Sequence, residues 1–321
     1  MKRRPWWVWL LGALLAAFAI KFATRFPWLE TGRVLAGASL PLLLLATVVN
    51  LVSLVAKASA WHLLLRRDGV PRWRSSLDAT IIGAAVNTVG VAASGDAARL
   101  HVVVQRDRVA LGAAVASLIW SRVVEAVGLA VLVVAGAAML PLPAWVRPIQ
   151  AGLLAAILAL VALTASGSWA VLARRAPERL RPIVQRVAAS APRRHLVAIL
   201  ALGLVNWLTQ WATYHLAITS VEGSTPLAAS FVALLAANIG GLPKLTPGNV
   251  GVMQASFVLG LAPFGVPVER AVAAGLVCQA LQVLPVLLAG VGVAGWHGLR
   301  ATAREAAAET TLAVEAMSEA S

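Results

Sequence analysis

Charge is scarce in this chain. Only 12% of its 321 residues are charged, 13 of them acidic, and it holds one cysteine, one tyrosine and six phenylalanines. A water-soluble domain carries roughly 25% charged and about 45–50% apolar residues. The 60% apolar content therefore excludes a soluble enzyme of one or two domains. Cys278 has no partner for an intramolecular disulfide, and its apolar surroundings make it a packing thiol rather than a reactive one. There is no N-x-[ST] sequon. His62, His101, His195, His215 and His297 are not spaced as metal ligands, and no H-E-x-x-H, Walker or G-x-S-x-G pattern occurs. A G-x-G-x-x-G match at residues 290–295 lies within an apolar run with no strand before it, so it reads as close helix packing. No cofactor, no metal and no enzymatic activity are expected from these motifs.

What the chain does have is apolar runs of bilayer length. Crossing roughly 30 Å of hydrocarbon takes about 20 helical residues. Six runs qualify, at about residues 6–27, 34–56, 110–139, 148–172, 195–217 and 268–296. The first lies behind Lys2, Arg3 and Arg4, yet it is Trp-rich and lacks a small-x-small exit, which favours a retained span over a cleaved signal. Two further stretches, 79–93 and 228–242, are too short to cross. Each is followed by a Gly-containing break and a second short limb, at 95–105 and 248–262, the pattern of a re-entrant hairpin. The fold expected is an all-α polytopic integral membrane protein with about six full spans and two re-entrant helical hairpins, at about 79–105 and 228–262. The transmembrane domain covers residues 1–297, with a basic loop at 174–194 and an Ala/Glu-rich tail at 298–321.

The formal charge is +14, from 27 basic residues. With the hairpin layout and a cytoplasmic N-terminus, nineteen of these bases fall in cytoplasmic segments, Lys57 among them, and five on the other side. Letting residues 79–93 cross fully would move the seven arginines of the 174–194 loop to the wrong face. The positive-inside rule thus selects hairpins that enter from opposite sides, in a multi-pass protein of the cell (inner) membrane with both termini cytoplasmic. It also accounts for the high pI without a nucleic-acid partner. Tryptophans near span ends, Trp6, Trp7, Trp28, Trp145 and Trp296, suit the membrane interface. In the 174–194 loop, Leu180, Ile183, Val184 and Val187 at helical spacing fit an interfacial helix, although Pro182 interrupts them, which leaves a solvated basic loop as the alternative.

Three bases remain at membrane depth: Arg99, Arg122 and Lys244, accompanied by Asp96 and Glu125. A lipid-facing charge costs roughly 2.5–3.5 kcal/mol near a helix centre, so these five must face protein, water or substrate. The surplus of one positive charge suits an anionic group such as a lipid phosphate, which arginine grips bidentately. A pair of internal salt bridges is the structural alternative. The hairpin breaks share an order: Asn87, small residues, Ser94-Gly95-Asp96 and a helix; then Asn238, Thr246-Pro247-Gly248, Asn249 and a helix reaching Gln254. Both place helix N-termini, which attract anions, near mid-membrane. Two Gly/Pro-interrupted segments at corresponding places in two halves mark an inverted repeat with a midplane site.

These residues resemble a known family. The N-x7-G-D-x-x-R motif of residues 87–99, the Arg122-x-x-Glu125 pair and P-x-x-T-P-G-N-V-G-V at residues 243–252 are similar to the lysylphosphatidylglycerol synthase transmembrane (UPF0104, flippase-like) family, over about residues 8–297. The resemblance implies movement of a phospholipid between leaflets. Aminoacyl transfer is not expected of these 321 residues, in which no counterpart of the soluble synthase domain of full-length members is read. The chain departs from the pattern at Asn249, Met253 and Gln254, where the family shows glycine, arginine and glutamate. Ser121 replaces an acid, and the first hairpin's proline is missing around Val91 and Ala92. Those losses weigh against a cationic lysyl lipid and leave a simpler phospholipid, a polyprenyl-linked lipid or a hopanoid-type substrate open.

The expectation is a lipid translocase with a midplane polar site for a phosphate-bearing head group. Arg99, Arg122 and Lys244 would hold the anion, and Asp96 and Glu125 would orient those bases. Asn87, Asn238, Gly248, Asn249 and Gln254 would complete the site. Two other readings are an intramembrane lipid-modifying transferase with Asp96 or Glu125 as base, and a non-transporting accessory subunit of an envelope or lipid pathway. The partners expected are membrane lipids, with a homo-oligomer or an envelope-pathway protein left open.

Overall fold

The computed structural model describes residues 28–66, 71–89, 94–165, 174–175, 177–178, 181–189, 195–242 and 249–319. The first expected span, 6–27, lies outside them, as do Thr246, Pro247, Gly248 and Lys244. The described residues form helices: α1 Trp28–Ala36, α2 Leu40–Leu65, α3 Trp73–Val89, α4 Ser94–Asp107, α5 Leu111–Met139, α6 Val146–Ala165, α7 Arg181–Ala189, α8 Leu196–Glu222, α9 Leu227–Gly240, α10 Val252–Leu261 and α11 Val268–Glu319. The protein is a polytopic membrane protein. Among the described residues, α2, α5, α8 and residues 268–296 of α11 are long and apolar enough to cross a bilayer.

The second span differs from its sequence reading of 34–56. Residues 37–39 break the helix, the Ser39 amide donates to the Ser220 carbonyl at 2.9 Å, and α2 starts at Leu40 with Pro41 in its first turn. Proline there forfeits only an N–H that a first turn leaves unbonded. The span consequently runs to Leu65 and takes Lys57 inside the membrane helix. Pro182, read as an interruption, likewise sits in the first turn of α7 and begins the helix. α7 is docked on the bundle: Val187 is buried, and its carbonyl accepts the Trp120 indole N–H at 2.9 Å. The tail continues α11 as one helix to Glu319.

Contacts fix the relative directions of the spans. Gln210 of α8 donates to Ser53 of α2 at 2.8 Å, while Ser39 meets Ser220, so these two helices are antiparallel. Gly128 and Gly203 let α5 and α8 approach closely: a Cβ on Gly128 would lie 3.1 Å from the Gly203 carbonyl oxygen.

Each hairpin is tied to one end of this frame. Trp73 at the start of α3 donates to Ser59 at 3.1 Å, and Ser76 meets His62 at 3.2 Å, both near the C-terminal end of α2. The limbs α3 and α4 then run antiparallel, stitched at their base by Arg106 to Asp78 at 2.9 Å and by Ser75 to Asp107 at 3.1 Å. These polar bonds explain why α3 begins six residues before the apolar stretch. At the start of α9, Ser230 accepts from the Trp211 indole at 3.1 Å and meets His215 at 3.2 Å, both in the C-terminal half of α8. Because α2 and α8 are antiparallel, the hairpins enter from opposite ends, as expected. Arg66, Arg72, Arg74, Arg106 and Arg186 gather at the end from which α3 enters, and Arg147 and Arg270 lie at the other.

The first hairpin closes through glycine. A Cβ on Gly95 would collide with the Gly83 carbonyl oxygen and lie 2.7 Å from Asn87 Cβ. Gly95→Val is expected to force the limbs apart and destabilise the protein by at least about 1–3 kcal/mol, the usual scale of overpacking. A lowered thermal unfolding midpoint in detergent checks this.

Candidate functional site

The inner ends of the described hairpin limbs border a common space inside the bundle. Asn87, near the end of α3, and Asn238, near the end of α9, line the same two adjoining cavities. The smaller, of about 380 Å³, is walled by Lys57, Asp96, Arg99, Arg122 and Glu125 together with Asn50, Asn206 and Gln210. The larger, of about 910 Å³, is walled mainly by apolar side chains, among them Leu129, Ile149, Leu153, Leu235, Ile239 and Leu242. Arg122, Glu125, Trp207, Tyr214 and Gln282 belong to both walls, so a polar chamber opens onto an apolar one.

The charged residues of the polar chamber form a ladder. Arg122 Nη2 lies 2.7 Å from both Asp96 carboxylate oxygens, and its Nη1 lies 3.0 Å from Glu125 Oε2. Lys57 Nζ completes the row, 3.0 Å from Glu125 Oε1. At 1.5 Å per residue, Lys57 sits about 12 Å and Arg122 about 16 Å in from the arginine-rich end of its helix, so the ladder lies well inside the spanning helices. The Trp207 indole donates to the Glu125 carbonyl at 2.7 Å and fixes that turn of α5 against α8.

Arg99 stands apart from the ladder. It is only 3% exposed, and its guanidinium carbon lies 4.2 Å from the centroid of the Trp61 ring. Trp61 is fully buried and is held by donating to Ser117 Oγ at 3.1 Å. Gly83 supplies the clearance for the arginine stem: a Cβ there would collide with Arg99 Cγ. Among the described residues, Arg99 has no ion-pair partner, and its Nε and Nη2 find no hydrogen-bond acceptor. A buried guanidinium with an unpaired edge is costly unless something else supplies the acceptors.

The expected site residues thus divide. Asp96, Arg99, Arg122, Glu125, Asn87 and Asn238 converge on the polar chamber, and Asn249 lines the apolar one. Asn238 donates to its own helix at Leu234 O, 2.8 Å away. Gln254 lines neither cavity. It is buried, accepts from the Gly251 amide at 2.7 Å and donates to Gln279 at 2.6 Å, joining the start of α10 to α11. Lys244 and Gly248 lie outside the described residues. Sequence reasoning missed Lys57, counted there as a cytoplasmic charge. The signal was the apolar stretch that follows it: residues 58–65 contain Trp61 and three leucines, so the span did not end at 56.

Over residues 9–290 the chain matches the model of the lysylphosphatidylglycerol synthase transmembrane region. It belongs to that family. Comparison with curated proteins finds no match. The departures from the family pattern acquire physical reasons here. Asn249 adopts φ of 56°, a left-handed conformation that glycine takes freely and asparagine tolerates. Met253 packs in the buried core with Phe257 and Leu281. Gln254 and Gln279 make a neutral pair, 2.6 Å apart, so no charge stands at this point of the second hairpin. Among the described residues, the charges of the site therefore come from α2, α4 and α5, while the second hairpin contributes amides.

Proposed function

We propose that the protein is a lipid translocase. A phosphate-bearing head group passes through the polar chamber while the acyl chains follow the apolar one. The observation that carries this reading is Arg99, a buried cation with unsatisfied donors in the wall of a chamber that both opposed hairpins line. A site reached by hairpins from both ends lies in position to face either leaflet in turn. The apolar chamber beside it offers room for chains that an aqueous substrate would not need. The arginine-rich end would face the cytoplasm, following the positive-inside rule.

The test is reconstitution of the purified chain into liposomes containing a head-group-labelled phosphatidylglycerol in both leaflets. Membrane-impermeant quencher should reach nearly all the label in protein-containing vesicles, against about half in protein-free ones. Equal fractions in the two preparations would remove the proposal.

A further inference from the structure

We infer that the site takes a lipid whose head group is a singly charged phosphodiester without an ammonium group, and that the ion-paired ladder is what refuses cationic head groups. The inference rests on the translocase reading for its setting, a membrane lipid at this site, but not on transport itself.

Charge balance and donor geometry in the polar chamber point the same way. Both oxygens of Asp96 are taken by Arg122, Glu125 Oε2 is taken by Arg122, and Glu125 Oε1 is ion-paired with Lys57 at 3.0 Å without a hydrogen bond. The ladder thus holds two acids and two bases and is neutral as a unit. Each acid is already ion-paired, so an incoming ammonium would have to displace a base and would meet three cations in the same wall. Arg99 is the surplus charge among the described residues, and its free donors have a particular shape. Nε and Nη2 are the two adjacent N–H groups along one edge of the guanidinium, a fork matched to two oxygens of a phosphate. That edge is buried and unsatisfied. Rotating the guanidinium toward the chamber it lines exchanges an unpaired edge for two charge-assisted bonds. One surplus charge balances a phosphodiester, whereas a phosphomonoester brings more negative charge than the wall neutralises. The shared chemistry could come from a lipid or from a free glycerophosphodiester. The adjoining apolar chamber favours the lipid.

Native mass spectrometry of the purified full chain in mild detergent provides the test, with four probes: phosphatidylglycerol, its lysyl ester, phosphatidic acid and deacylated glycerophosphoglycerol. Phosphatidylglycerol should be retained at least about tenfold better than the lysyl ester, a difference of about 1.4 kcal/mol, and better than the other two. Equal or tighter retention of the lysyl ester overturns the inference. Equal retention of glycerophosphoglycerol overturns the assignment to a lipid, and tighter retention of phosphatidic acid overturns the single charge. Arg122→Gln, which frees the carboxylates, should narrow the gap between phosphatidylglycerol and its lysyl ester. If that variant does not fold, the wild-type panel decides alone. The expected selectivity without any transport would sink the translocase reading and leave this inference standing. Transport of both lipids with equal retention would do the reverse.

Discussion

Arg99→Ala is expected to lower protein-dependent movement of head-group-labelled phosphatidylglycerol by at least about 30-fold. Truncating one partner of a buried, hydrogen-bonded charge pair typically costs about 2–5 kcal/mol, and 2 kcal/mol already corresponds to that factor. The substitution removes the charge without opening the ladder, because Arg99 shares no ion pair with Asp96 or Glu125. With the ladder intact, unfolding should shift by no more than the roughly 2 kcal/mol of the lost Trp61 contact, and the larger loss should appear in transport. Arg99→Lys gives the sharper comparison. It keeps the charge but replaces the flat fork with a compact ammonium, so it should restore transport only in part. Quencher-accessibility traces of the two variants beside wild type check both points. Undiminished transport in Arg99→Ala would leave the ladder, or nothing, as the anion's anchor.

Glu125→Ala should have the largest effect on stability. It strands Lys57, which then has no acid partner among the described residues, and it strips one of the two acids from Arg122. Breaking a fully buried pair costs about 3–5 kcal/mol. Lys57 keeps 29% of its side chain exposed, and water in the chamber screens part of that charge, so about 2–3 kcal/mol is the expected loss. Removing both partners in Lys57→Ala/Glu125→Ala should recover a good part of it. A double-mutant cycle on thermal unfolding in detergent should return a coupling of at least about 1 kcal/mol. Additive losses would mean that the 3.0 Å pair contributes nothing to the fold.

The sequence made the architecture legible because bilayer thickness imposes length. α5, α8 and the membrane part of α11 follow the apolar runs to within a few residues. The opposed hairpins were legible from arginine placement, a constraint set outside the protein. The start of α2 was not, since it depends on the Ser39 amide finding the Ser220 carbonyl, a partner far away in sequence. Lys57 was lost with it. Within the site, Arg99, Arg122, Asp96 and Glu125 announced themselves through the cost of charge in lipid, and their pairing did so in part. Spacing of three residues pairs Arg122 with Glu125, which the structure forms, and Asp96 with Arg99, which it does not: Arg122 takes Asp96 across the hairpin boundary and leaves Arg99 to Trp61. Gln254 looked like a pore-facing amide, yet its place in the first turn of α10 commits it to the Gly251 amide.

The contact between Arg99 and Trp61 has a mechanical consequence. The arginine and the glycine that clears its stem, Gly83, both belong to the first hairpin, while the indole is pinned to α5 through Ser117. Any displacement of the hairpin against the bundle must peel guanidinium from ring. A desolvated contact of this kind is worth about 2 kcal/mol, enough to favour the seated position roughly 30-fold. The contact is thus a latch, and an anion that draws the arginine away from the ring works directly against it.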